Sequence, residues 1–177
     1  MASYVALLRG VNVGGNNKVP MKALVEMFES LGHEDVATFI QSGNVVFTAG
    51  SSSPADIAAS LEREISSTFG VKTAVLLRTK PEMRAIAKHN PFMSPSADVS
   101  KLQVTFLDLV PDKAVLAKLE PDACAPDEFA VRSREVYSLC PNGFGRSRLV
   151  AYLERRLGRR ATSRNWNTVN KLLDLMP

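Results

Sequence analysis

Eight consecutive residues, Pro141-Asn142-Gly143-Phe144-Gly145-Arg146-Ser147-Arg148, have the composition of an anion cradle. Gly143 and Gly145 let the backbone approach a ligand, and Ser147 can cap a following helix. Arg146 and Arg148 can neutralise a phosphate or carboxylate through charge-assisted hydrogen bonds. The same residues also suit an ordinary strand-to-helix loop with solvated arginines. A second cluster, Thr162-Ser163-Arg164-Asn165-Trp166-Asn167-Thr168, surrounds the only tryptophan with hydrogen-bonding side chains. Its ligand-binding candidates are Arg164, Asn165, Trp166 and Asn167. The Trp166 ring either stacks on a base or other ring or anchors a core face continued by Val169, Leu172, Leu173 and Met176.

Two further loops lie in the first half of the chain. Residues 10–19 form a connection longer than the roughly 2–6 residues usual between a strand and a helix. It carries Gly14-Gly15, Asn16-Asn17 and Lys18 and feeds a helix start, where amides and the helix dipole favour an anion. The glycine spacing fits neither a Walker loop nor a dinucleotide fingerprint. Arg9, Asn12 and Lys18 are its candidates, and Gln41, Ser42 and Asn44 are those of the turn at Ser42-Gly43. The plainer readings are a flexible surface loop and a hairpin turn.

No catalytic motif is found: no G-x-S-x-G, no H-E-x-x-H and no paired acids. His33 and His89 are the only histidines and lack metal-ligand spacing, so neither a metal nor a cofactor is expected. Cys124 and Cys140 lack C-x-x-C spacing and are expected to be reduced, partly buried thiols.

The elements that must position these loops follow from periodicity and punctuation. Strands are expected at 4–8, 36–40, 45–47 and 71–77, with helices opening at Pro20 and at Ser53-Pro54 and closing near Gly32 and Phe69. A third helix starts near Thr79, and residues 91–100 read as a linker. The order then repeats: a strand at 102–107, a helix from Pro111 to Leu119, a hairpin at 129–132 and 136–139, and a helix at 147–157. A short segment at 160–163 and a last helix at 166–175 complete it. Gln41 to Val45 aligns with Arg132 to Val136, and Leu61 to Ile65 with Leu153 to Leu157. This β-α-β-β-α-β order, twice, gives an α+β fold: a tandem repeat of two ferredoxin-like subdomains with antiparallel sheets. The expected division is a first subdomain at 1–79, a connecting helix and linker at 80–100, and a second subdomain at 101–177. In that topology Arg9 to Lys18 lies beside Gln41 to Asn44, and Gly143 to Arg148 lies near Arg164 to Asn167.

The chain has 177 residues and a formal charge of +4. Residues 141–171 alone carry eight basic side chains against Glu154, a local +7 that leaves −3 elsewhere. Arg148, Tyr152, Arg155 and Arg159 share one helical stripe, which suits either nucleic-acid phosphates or a solvated face. No stretch approaches a membrane span and no signal peptide is read, so the expected location is the cytoplasm, without a membrane partner.

Four segments carry a likeness to a known family. They are Tyr4-Val5-Ala6-Leu7-Leu8-Arg9-Gly10-Val11-Asn12-Val13-Gly14-Gly15, Gln41-Ser42-Gly43-Asn44-Val45-Val46-Phe47, Gly145-Arg146-Ser147 and Arg164-Asn165-Trp166-Asn167-Thr168. The chain resembles, over essentially its whole length, the bacterial domain-of-unknown-function family 1697. The resemblance implies two ferredoxin-like subdomains and brings no established activity, so no catalytic role follows from it. The leading expectation is binding of an anionic ligand, whether nucleotide, phosphorylated metabolite or single-stranded nucleic acid. An enzyme acting on a small phosphorylated or carboxylated metabolite, and a protein-interaction module, are the alternatives.

Overall fold

The structure is a computed structural model and describes residues 1–158 and 160–177. Arg159, the last member of the basic stripe, lies outside the described residues. The chain divides into two compact units, Met1–Arg84 with Lys171–Pro177, and Ala85–Asn170. Among the described residues it is an α+β protein with two four-stranded antiparallel sheets and six helices.

The first unit runs β1 (Ala2–Leu8), α1 (Met21–Ser30), β2 (Glu34–Thr38), β3 (Asn44–Ala49), α2 (Pro54–Phe69) and β4 (Val75–Thr79). Its sheet order is β2-β3-β1-β4, with every neighbouring pair antiparallel. So β1 and β2 point the same way, with β3 reversed between them. Alternation along β1 sends Tyr4, Ala6 and Leu8 into a core with Leu24 and Phe28 of α1 and Ile57, Leu61 and Ile65 of α2. The expected burial of Leu61 and Ile65 is observed, both fully enclosed. The opposite face of the same sheet, carrying Val5, Leu7, Val46, Leu76 and Arg78, is buried as well. At its start α2 is capped by Ser53, whose Oγ accepts from the Asp56 amide at 3.1 Å, and at its end Gly70 turns left-handed.

β4 runs directly into α3 (Lys80–Lys88). In the second unit a 3-10 turn at Val99–Lys101 leads to β5 (Leu102–Leu107), α4 (Lys113–Leu116), β6 (Glu128–Arg132) and β7 (Glu135–Leu139). A 3-10 turn at Phe144–Arg146, α5 (Leu149–Leu157), β8 (Ala161–Asn165) and α6 (Trp166–Leu175) follow. The sheet order is β6-β7-β5-β8, again antiparallel throughout.

The strand ends match bond for bond. Leu8 N donates to Gly43 O at 2.8 Å, and Leu107 N to Arg134 O at 2.8 Å. Arg9 N donates to Ala74 O, and Asp108 N to Arg160 O. Arg78 opposes Val5 and Arg164 opposes Val104, each in the next-to-last position of its strand.

Several element bounds differ from those expected. The helix at 111–119 shrinks to Lys113–Leu116 because its apolar side chains are only partly buried, and a short helix without a buried face is marginal. Beyond it the Glu120 amide binds the Tyr152 hydroxyl, and Pro121 disfavours helix at the residue before it. Strand β2 starts at Glu34 and stops at Thr38, with Ile40 in the turn at φ 52. Strand β4 starts at Val75, whose own amide is taken by Glu62 Oε1 at 2.9 Å. The short segment at 160–163 becomes strand β8, running on through Asn165.

Candidate anion-binding site

The end of β7 is fastened to the start of β5 by the Cys140 amide on the Lys101 carbonyl at 2.9 Å. The chain then turns through Gly143, whose φ of 81 favours glycine. A Cβ there would lie 3.7 Å from Lys101 Nζ, so this ammonium sits against the bare backbone. The turn at Phe144–Arg146 leads to Ser147, whose Oγ accepts from the Leu149 amide at 3.0 Å and caps the first turn of α5. The Cys140 thiol also donates to that oxygen, at 3.5 Å.

Beside this turn lies a cleft of about 330 Å³, walled by Gly143, Arg146, Ser147 and Arg148 on one side and by Cys124 to Asp127 on the other. Arg146 and Arg148 are exposed on it, while Asp127 is buried. Burial pushes the Cys124 and Cys140 thiols above the ordinary range, so at neutral pH both are protonated and poor nucleophiles. Both are free and buried.

The sheet face that packs Leu107, Val136 and Ala161 against α5 also carries polar residues at four positions where the first unit's sheet is apolar. Cross-strand register matches Gln103, Thr105, Ser138 and Ser163 with Tyr4, Ala6, Phe47 and Leu77. The Thr105 and Ser163 hydroxyls bond each other at 2.7 Å, and Gln103 Oε1 is buried without a donor.

The cleft gathers Gly143, Arg146 and Ser147, with Gly145 exposed in the same turn. The other candidates of this half lie elsewhere. Asn165 pairs with Gln103 and Leu139 with Leu102, so the ends of β8 and β7 share one sheet edge, as the topology required. Alternation nevertheless sends Ala161 and Ser163 toward α5 and Arg164 to the opposite face. There Arg164 is 8% exposed and its Nη1 donates to Thr162 Oγ1 at 2.7 Å and to Ser163 O at 2.9 Å. Burial lowers its pKa to about 10, which leaves it charged at neutral pH. Trp166 is 4% exposed and therefore a core anchor, while Asn165 and Asn167 are exposed.

In the first unit Arg9, Asn12 and Lys18 do lie beside Gln41, Ser42 and Asn44. The Asn12 side chain reaches the Gln41 carbonyl at 2.8 Å, and buried Asn44 closes its own turn on Phe39 O at 3.0 Å. Lys18 and Gln41 are exposed.

Lys101, Cys124 and Asp127 were not legible as site residues. Lys101 is brought in by strand pairing across 39 residues, and Asp127 stands in a stretch without periodicity.

The fold and cleft define an α+β chain with two antiparallel sheets and a cationic turn at a helix start. A family model described as "Protein of unknown function (DUF1697)" matches residues 1–137, and the chain belongs to that family. The matched span ends before the Gly143 turn. The chain is similar to a solved structure, the conserved bacterial protein SP0830 from Streptococcus pneumoniae, with a TM-score of 0.78 and 24% identity over 98% of each chain. No curated protein matches. No helix among the described residues is long and apolar enough to cross a membrane.

Proposed function

We propose that the chain binds a small anionic ligand, a nucleotide or phosphorylated metabolite, in the cleft at the start of α5. The observation that carries this is the pairing of exposed Arg146 and Arg148 on one cleft with a helix start. Lys101 adds a third cation beside the Gly143 backbone, where a phosphate can approach main-chain amides. Asp127 is the one carboxylate on the wall, and it is buried while the arginines are exposed. The volume lies at the lower end of the roughly 300–1,000 Å³ of small-molecule sites.

We read the two sheets as two ferredoxin-like repeats, at 1–79 and 101–177 with a connector at 80–100, working in the cytoplasm. Identical strand order and matching hydrogen bonds at the strand ends support that reading.

Thermal shift with inorganic phosphate, AMP and ATP tests the cleft. A ligand at about 100 times its Kd stabilises by about 2.7 kcal/mol, a Tm rise of roughly 5–10 °C for a chain of this size. Arg146→Ala with Arg148→Ala should abolish the rise while leaving the unliganded Tm near its original value. A rise that survives both substitutions, or none with any phosphate, sinks the reading.

A further inference from the structure

We propose that the paired loops at residues 9–19 and 39–43 form a nucleic-acid contact surface, with Val13 and Ile40 as apolar wedges and Lys18 as a phosphate contact. This surface belongs to the first unit and is independent of the cleft.

The longer loop is not slack chain. Asn12 N donates to Asn17 O and Asn16 N to Val13 O, both at 3.1 Å, closing a two-residue hairpin. Its corner is Gly14-Gly15 at φ 59 and 80, the paired positive values of a type I′ turn. Asn17 Nδ2 ties the base to Gly10 O at 3.0 Å. Asn12 binds both polar groups of Val19 and the Gln41 carbonyl of the neighbouring turn. Three asparagines, Asn12, Asn17 and Asn44, are thus spent on holding the two loops.

Other side chains face outward. Val13 is 63% exposed and Ile40 50% exposed. They adjoin the bonded pair Asn12 and Gln41, so they stand on neighbouring loops. Asn16, Lys18 and Gln41 are exposed, and their side chains make no hydrogen bond or ion pair among the described residues. Ile40 adopts φ 52, a region costly for a β-branched residue, and still keeps half its surface in water. Asparagine or glycine would satisfy the turn at lower cost. An exposed, strained isoleucine beside an exposed valine therefore has its use outside the fold.

Charge and size select the partner. Residues 1–25 contain Arg9, Lys18 and Lys22 and no acid, and residues 36–55 contain none either. Lys72 lies on the segment whose Ala74 carbonyl accepts from Arg9 N, beside Glu62 and Arg63 of α2. A stable protein interface covers about 800 Å² per side, more than a hairpin tip and one turn present. Two aliphatic side chains are also few for lasting insertion into lipid. A nucleic acid asks for what is here: cations for phosphate, carboxamides for base edges, glycine backbone for close approach, and an aliphatic wedge between bases.

The test is fluorescence anisotropy of the full chain at about 50 mM salt, where phosphate contacts are strong, with labelled single-stranded DNA, single-stranded RNA and duplex DNA. Probes of about 20 nucleotides exceed the ~4–16 that a small single-strand site spans. Binding should weaken with salt, and Lys18→Glu and Val13→Asp should each lower affinity about tenfold. Ile40→Asn should weaken binding with a Tm unchanged or raised, a combination that a merely structural role would not give. Arg146→Ala with Arg148→Ala should leave this binding intact, which separates it from the cleft. The proposal is overturned by no binding to any of the three probes, by undiminished binding in the loop variants, or by binding to phosphatidylserine vesicles instead of oligonucleotide.

Discussion

Asn12 donates its side-chain amide to the Gln41 carbonyl at 2.8 Å across 29 residues of sequence, and its Oδ1 accepts from the Val19 amide. One side chain thus closes its own loop and fastens it to the next turn. Asparagine suits the place twice over, since its φ of 56 is tolerated by few other residues. Asn12→Ala should cost about 2–4 kcal/mol from three lost hydrogen bonds and the left-handed backbone. Asn12→Gly keeps the backbone and should cost about 1–3 kcal/mol. Urea unfolding of the two variants measures both, and equal losses would show that the backbone term is negligible.

Glycines in the two loops should separate by environment. Gly43 has φ 69, and a Cβ there would meet Leu8 Cβ at 2.8 Å and Val11 Cβ at 3.3 Å. Neither neighbour can withdraw, because both are buried and Leu8 N is bonded to Gly43 O. Gly14 has φ 59 with nothing within 4 Å. Gly14→Ala should cost about 1–2 kcal/mol, the left-handed penalty alone. Gly43→Ala should cost about 1–3 kcal/mol more, as overpacked sites do. Comparable losses on chemical denaturation would mean that the Leu8 contact relaxes freely.

Much of this architecture is legible in sequence because punctuation and periodicity agree. Pro20 and Ser53-Pro54 mark helix starts, and Leu61 and Ile65 fall where a 3.6-residue stripe must be buried. Failure came where tertiary contact overrides local preference. The helix expected from Pro111 survives as Lys113–Leu116 because no face of it is buried and its apolar side chains stay half in water. The site divides along the same line. The Gly143 to Arg148 turn announces itself by composition, whereas Lys101 and Asp127 arrive through strand pairing that no local pattern encodes. Arg164 shows the limit of edge topology: β8 ends at the right edge, but the pleat decides the face. Asn12 shows another, since an amide aimed at a ligand and one spent on a neighbouring carbonyl are the same letter.

Thiol chemistry offers a direct reading of the second unit's interior. Burial raises both Cys124 and Cys140, and the Cys140 thiol donates to the hydroxyl of half-buried Ser147, just ahead of α5. Iodoacetamide at about pH 8, near the ordinary thiol pKa, should label the native chain far more slowly than the urea-unfolded chain. Native labelling of Cys140 at the unfolded rate would mean that the β7 to α5 connection opens readily.

Tyr137 supplies the pH dependence. Its ring is buried on the β7 face opposite α5, and its hydroxyl donates to the Ile86 carbonyl at 3.0 Å. Burial first, and then the negative charge of Glu135, push its pKa from 10.0 up to about 12. Both causes disfavour the phenolate, and the bond to a carbonyl requires the proton. The folded state therefore holds this proton more tightly than the unfolded state does. Its contribution to stability is full below pH 10 and is lost as pH climbs from there to about 12. Tyr137→Phe should remove that part of the alkaline decline. At neutral pH it should cost about 1 kcal/mol, because the Ile86 carbonyl loses its donor. Urea unfolding at several pH values, with phenolate absorbance followed in parallel, checks both halves. A Tyr137 that ionises near pH 10 in the folded chain would mean that water reaches its hydroxyl.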